Sequence, residues 1–150
     1  MASNQPAIDI RPGARMFMAA HEFWYRLTNG FIGGWAGAPM LLLTTKGRKS
    51  GQPRTTPLLF MPDGDNYVVI ASYGGSDRDP QWWRNLEADP NAEVQVFARR
   101  RKVRAEAATG EERTRLWNRV STSYPIYRWY ESRTSREIPV VVLAPAKPKS

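Results

Sequence analysis

Between residues 39 and 104 the chain alternates short apolar runs with strong turn signals, and no helix separates most of those runs. That rhythm argues against a doubly wound parallel sheet, which needs a crossover helix between strands. It favours an antiparallel meander that curls into a small barrel. PMLLLTT (39–45) reads as a buried strand and KGRKSGQ (46–52) as a basic turn. PRTTPLLFMP (53–62) reads as a strand interrupted by Pro57, and so as an edge strand or one kinked at that residue. Asp63-Gly64-Asp65-Asn66 is a hairpin turn, YVVIAS (67–72) a second buried strand and YGGSDR (73–78) a Gly-containing loop. EVQVFAR (93–99) and KVRAEA (102–107) alternate like a hairpin, and EIPVVVLA (137–144) is the last strand.

Three helices accompany these six strands. Over 15–29 the apolar residues Met16, Ala20, Phe23, Trp24 and Leu27, followed by Phe31, recur at helical spacing and stop at Asn29-Gly30. This helix is amphipathic, and either packs on the body or lies on a membrane surface. Over 81–88 a short helix has Asp79 as its N-cap and Pro80 at its first position. Thr109-Gly110-Glu111-Glu112 is a capping box opening a helix to about residue 121, with Leu116, Trp117 and Val120 on its apolar face. The expected organisation is a flexible arm (1–14), one α+β, mainly β domain (15–145) and a disordered tail (146–150).

The 150 residues include no cysteine and one histidine, His21. Disulfides, iron–sulfur clusters, thiolate nucleophiles and cysteine zinc sites are therefore excluded. His21, placed within the first helix, reads as a surface or packing residue, so neither a metal site nor a Ser–His–Asp hydrolase is expected. No run approaches the roughly 20 apolar residues of a membrane span, nor the pattern of a signal peptide. The expectation is a cytoplasmic chain, peripheral at the inner membrane face if helix 15–29 lies there.

Twenty-two basic against 14 acidic residues give a net charge of +8 and a pI near 10.2, a balance that attracts anions. Lys46, Arg48, Lys49 and Arg54 lie within nine residues with no acid among them, while Gly47 and Gly51 let the backbone turn and present bare N–H groups. Phosphate and carboxylate oxygens suit this turn, and Arg can fork onto them. A solvated hairpin and a nucleic-acid contact remain alternatives. A second cluster, Arg99 to Lys102 with Arg104, falls at the expected hairpin turn as a solvated tip, or as a contact for lipid head groups or an anionic tail. Ser72 ends a buried strand, where barrels present ligand groups. Tyr124, Tyr127 and Tyr130, at i, i+3 and i+6, share roughly one face of a helix or turn. They either pack or line a pocket as proton donors.

In order, LLLTTKGRKSGQPRTTPLLF, VVIASYGGSDRDPQWWRNLEADPNAEVQV, YPIYRWY and IPVVVL resemble the deazaflavin-dependent nitroreductase family, actinobacterial flavin/deazaflavin oxidoreductases of the split β-barrel class. The resemblance covers about residues 39–145, and helix 15–29 fits a variable appendage. It implies coenzyme F420, whose phosphate and oligoglutamate tail match the basic turn in charge. By that resemblance Arg48, Lys49 and Arg54, with Gly51 in the turn, meet the phosphate and tail. Pro57 and Leu58 line the ring pocket, and Ala71, Ser72, Tyr73, Gly74 and Gly75 follow the deazaflavin edge. Gln81, Trp82 and Asn85 close over the cofactor, while Tyr124, Tyr127 and Tyr130 line the substrate pocket. Tyr73 and Gln81 depart from the family pattern, which has a basic residue and a Met there.

The resemblance further implies hydride transfer to an electron-poor small molecule: a quinone, an activated enone or a nitroaromatic. A phenol or Ser72 would position that acceptor, and a phenol or water would supply the proton. FMN, also a phosphate-bearing planar ring, is the alternative cofactor. A nucleic-acid-binding barrel is the alternative of another class, not expected because the aromatics cluster at helices and loops rather than along one strand face. The chain is expected to be a monomer or homodimer.

Overall fold

The structure, a computed structural model, describes residues 39–147. They fall in the second of the two compact units into which the chain divides, Ala38–Ser150. The first, Met1–Gly37, lies outside the described residues, and with it the expected arm, helix 15–29 and His21.

Seven strands and three helices are described: β1 (Met40–Lys46), β2 (Pro53–Leu59), β3 (Met61–Asp63), β4 (Asn66–Ile70), α1 (Gln81–Ala88), β5 (Asn91–Val96), β6 (Arg99–Ala107), α2 (Gly110–Ser123), α3 (Ile126–Ser132) and β7 (Val140–Pro145). A 3₁₀ turn, Tyr73–Gly75, follows β4. All pairings are antiparallel, in the order β2-β1-β5-β6-β7-β4-β3. A simple meander is thereby corrected: β5 lies beside β1 and β7 beside β4, so both pairings join strands distant in sequence.

The expected strand 53–62 is two strands. β2 does run along an edge of the order, where Pro57 is tolerated opposite Leu42. The break comes later, at Phe60, whose N–H donates to the Pro39 carbonyl at 3.1 Å. Beyond it Met61 pairs with Val68 at the opposite end of the order. One residue therefore links the first and last strands of a seven-strand sheet. With consecutive Cα atoms about 3.8 Å apart, those two edges must come together. The sheet curls, and β2 approaches β4.

Strand alternation then gives the curled sheet two apolar faces. Inside, Leu41, Leu43, Val69, Val94, Val103 and Val141 form one cluster, closed by Trp82, Trp83 and Leu86 of α1. Outside, Val68, Ile70 and Val140 meet Leu116, Trp117 and Val120 of α2 and Tyr127 of α3. The architecture is an α+β split β-barrel.

Three local expectations are corrected. Pro80, not Asp79, is the N-cap of α1; its carbonyl accepts from the N–H groups of Trp83 and Arg84, while the Asp79 carboxylate turns to Arg136. Thr109 is the N-cap of α2, but its side chain makes no capping bond, and Glu112 pairs with Arg115 instead. The β5–β6 turn is Phe97-Ala98, with Val96 opposite Arg99, so the second basic cluster lies along β6 and not at the turn.

Candidate functional site

The basic turn 46–52 is closed by its own backbone: Gly47 N–H donates to the Gln52 carbonyl and Gly51 N–H to the Gly47 carbonyl, both at 2.8 Å. Gly51 takes a φ of 72°, which a side chain would strain. A Cβ on Gly47 would lie 2.6 Å from Ser50 Oγ and 3.1 Å from the Gln52 carbonyl oxygen, so the Ser50 side chain would have to turn away to admit one. Lys49 is exposed at its apex, whereas Arg48 bends back onto α1. Arg48 donates through Nη2 to Gln81 Oε1 (2.7 Å), and through Nη1 and its backbone N–H to Asn85 Oδ1 (3.0 and 3.2 Å). Asn85, 4% exposed, donates in turn to Thr45 Oγ1 at 3.1 Å. Arg54 shares the interior face with Thr45, its partner in the β1–β2 register, and reaches Ser50 Oγ at 3.4 Å. A groove of about 830 Å³ opens beside the turn, with Lys46, Gly51, Pro53, Glu93, Lys102 and Lys147 among its lining residues.

The second group of candidates lies in residues 71–79. Ala71 and Ser72 are buried, Tyr73 and Gly74 exposed, and Tyr73 holds a φ of 45°. This segment is fastened by a residue that no sequence pattern marked, Arg136. Its guanidinium, with a side chain only 15% exposed, donates to the carbonyls of Ser76 (2.7 Å), Ser72 (2.8 Å) and Ala71 (3.1 Å), and pairs with Asp79 at 2.9 Å. Thr134 Oγ1 donates to Asp77 Oδ1 at 2.8 Å and adds a second tie. Gly75 abuts α3 so closely that a Cβ would stand 2.9 Å from the Tyr130 carbonyl oxygen.

The phenols form a run of edge-on rings: Tyr124 to Tyr127 at 6.4 Å and Tyr127 to Tyr130 at 6.0 Å between centroids. Their settings differ. Tyr127 is buried among Leu116, Trp117 and Ile138. Burial, reinforced by Tyr130 and Tyr124, holds its phenol well above the usual range, so it stays neutral. Tyr124 and Tyr130 are half-buried, and burial also raises the Tyr124 phenol. The backbone of α3 at Tyr130 lies against Gly75.

The antiparallel register brings these groups to one end of the barrel. Lys46, Asn91, Ala107, Val140 and Ile70 all lie at the same end of their strands, so the basic turn and residues 71–79 leave the sheet at the same end. Leu58, Ala71 and Trp82 meet in the interior cluster. Pro57 and Leu58 do not line one pocket with their side chains: alternation sends Leu58 inward and Pro57 to the opposite face. Trp82 and Asn85 are buried, Asn85 between Thr45 and Arg48, while Gln81 is exposed and bonded to Arg48.

A curled antiparallel split barrel with a cationic turn, a glycine-bearing segment and phenols near one end defines a class of small oxidoreductase scaffolds that leave redox chemistry to a bound cofactor. Residues 17–145 match the model of the F420H(2)-dependent quinone reductase family, and the chain belongs to that family. It is 45% identical over 128 residues to an F420H(2)-dependent quinone reductase of Mycobacterium tuberculosis, covering 82% of this chain and 86% of that protein. Among solved structures it resembles an F420-H2 dependent reductase (FDR-A), with a TM-score of 0.65 and 36% identity over 70% of this chain and 93% of that one. It also resembles a chain described as a domain-swapped dimer, with a TM-score of 0.65 and 30% identity over 85% and 96% of the two chains. The cofactor of the family is coenzyme F420.

Proposed function

We propose that this chain holds reduced coenzyme F420 at the end of the barrel where the basic turn and residues 71–75 emerge, and reduces quinones there. The observation that carries this reading is the emergence at that end of the basic turn, which with Arg54 of β2 carries four cations and no acid, of the fastened 71–79 segment, and of the α3 backbone at Tyr130 against Gly75. The donor set suits the cofactor: cations and turn N–H groups face a phosphate and a chain of carboxylates. The groove beside the turn offers room for an extended anionic chain.

When bound, reduced F420 supplies the hydride, so the chain needs neither a cysteine nor a catalytic histidine. Lys49 and Arg54 bind the anionic part. Arg48 is a positioning residue as well, because its guanidinium fixes the turn to α1. Ala71 to Gly75 form the wall against the ring, and Leu58 and Trp82 support that wall from the interior. Tyr130 and Tyr124, with the Ser72 hydroxyl, orient the acceptor oxygen; a phenol or water delivers the proton. Tyr127 braces the other two. Activated enones and nitroaromatics are acceptors of the same electronic kind and are expected to turn over too. The chain acts as a monomer or homodimer, with helix 15–29 as an auxiliary contact for lipid.

The test is a fluorescence titration with F420, with FMN in parallel, followed by turnover with a water-soluble quinone. Saturable F420 binding stronger than FMN binding, weakened in Lys49→Ala, is expected. Lys49→Ala is the cleaner variant, since Arg48→Ala would also loosen α1. Binding of FMN but not F420 would overturn the assignment. Flotation of the full chain against one starting at Trp35 tests the auxiliary contact, and equal partition would remove it.

A further inference from the structure

The tip of the β5–β6 hairpin lies at the end of the strands opposite the proposed cofactor site and takes no part in it. Beyond the Ala146 N–H that donates to the Lys102 carbonyl at 2.9 Å, β6 has no partner on its β7 side among the described residues, so residues 99–101 pair with β5 alone and the hairpin projects from the sheet. At its apex Phe97 is 93% exposed and has a φ of 53°. A bulky residue in that region is a backbone outlier, and at such a turn Gly or Asn would be the relaxed choice. The apex is braced nonetheless: Gln95 Nε2 donates to the Phe97 carbonyl at 2.9 Å. Strain held at an exposed aromatic, on a turn built to keep it, points to a use for the ring.

What surrounds the ring indicates the partner. Arg99 and Arg100, next to the turn, are exposed and Arg101 is half-buried, whereas Lys102 and Arg104 lie further along β6, opposite Glu93 and Asn91 and towards the proposed cofactor end. Strand alternation sends Arg100 to one face and Arg99 and Arg101 to the other, so the apolar apex has cations on both sides. The nearest carboxylate, Glu93, stands 4.0 Å from Arg100. We propose that this hairpin tip is a docking surface for an anionic lipid bilayer, with the Phe97 ring entering the acyl boundary and the guanidinium groups of Arg99, Arg100 and Arg101 meeting lipid phosphates. A single ring on a convex tip offers no groove to track a nucleic-acid strand. A two-fold contact with a second copy would set the two cation clusters against each other. Docking in this way leaves the opposite end in water, where a soluble anionic cofactor arrives.

The test is sedimentation of the full chain with phosphatidylglycerol-containing vesicles and with pure phosphatidylcholine vesicles. Wild type should partition to the anionic vesicles alone. Phe97→Gly removes the ring and suits the local φ, so it should melt no lower than wild type yet partition at least about tenfold less, as loss of a buried aromatic implies. Phe97→Trp should retain binding, and Arg99→Gln with Arg100→Gln should lose it. Turnover of a water-soluble quinone without vesicles should be unchanged in Phe97→Gly, which separates this proposal from the cofactor reading. Equal partition of wild type and Phe97→Gly would overturn it. So would a single-stranded oligonucleotide signal lost in the same variants while vesicle binding persists, or a dimer that dissociates on Phe97→Gly.

Discussion

Gly75 shows how one missing Cβ sets the geometry of the site. Its φ of 81° and its 2.9 Å clearance from the Tyr130 carbonyl demand glycine twice over. Gly75→Ala should cost about 1–3 kcal/mol in urea unfolding, the scale of a forced backbone outlier, and should push α3 from the 72–75 segment. The Tyr127 phenol is raised by burial, so the folded chain holds that proton more tightly than the unfolded chain, which loses it near pH 10. The stability this group contributes is complete below about pH 10 and is lost as pH rises further. Tyr127→Phe keeps the ring, so stability at pH 7 should change by less than about 1.5 kcal/mol while the fall above pH 10 flattens. Tyr130→Phe should behave differently, slowing quinone turnover by about 10²–10⁴-fold with F420 affinity kept, as expected for loss of general-acid help. Full turnover in Tyr130→Phe and Tyr124→Phe alike would remove the proton-donor role. The spacing of these tyrosines was legible; their division into one packing ring and two half-buried ones was not, because it depends on which ring α2 covers.

At the scale of elements, the site end is held by two clasps: Arg48 from the basic turn to α1, and Arg136 from the segment before β7 to residues 71–79. Arg136 is isolated in sequence between the phenols and the last strand, and its partners are mostly carbonyls 60 to 65 residues away, so no local pattern could reveal it. Arg136→Met should cost about 1.5–3 kcal/mol, the worth of charged hydrogen bonds, measured by urea unfolding. It should also weaken F420 binding, while Arg136→Lys restores part of both. An unchanged F420 affinity in Arg136→Met would mean that the 71–79 segment does not shape the cofactor site. The bounds of α1 were readable because Asp79-Pro80 and Asp89-Pro90 bracket it. The β5–β6 turn was misplaced because Phe97-Ala98 has none of the usual turn chemistry, whereas the Arg run beyond it looks like a solvated tip. Barrel closure through Phe60 was hidden for a related reason: a one-residue corner leaves no Gly or Pro signature of its own, and Pro57 drew attention three residues too early.

For the whole molecule, charge is the property that sequence and structure treat alike. A net charge of +8 is spread widely, but Lys46, Arg48, Lys49 and Arg54 concentrate part of it at the end proposed to receive a polyanion. On α2, by contrast, cations are paired with carboxylates: Arg115 and Arg119 converge on Asp63, and Arg113 pairs with Glu137, fastening α2 to the β3–β4 hairpin and to the approach to β7. Those pairs hold Asp63 below the usual carboxylate range, chiefly through the Arg115 hydrogen bond, so they persist until strongly acid pH. Lys49, exposed at the apex of the basic turn, is the site-end cation whose contribution salt should reach first. Exposed charges are screened over about 10 Å at 0.1 M salt and about 3 Å at 1 M. F420 affinity should fall steadily between those concentrations, mainly through a slower association rate, while urea stability, which rests on the two apolar faces, changes little. Lys49→Ala should flatten the salt dependence as well as lower the affinity. A salt-independent F420 affinity would place the cofactor's anionic groups away from the basic turn, even if quinone reduction remained.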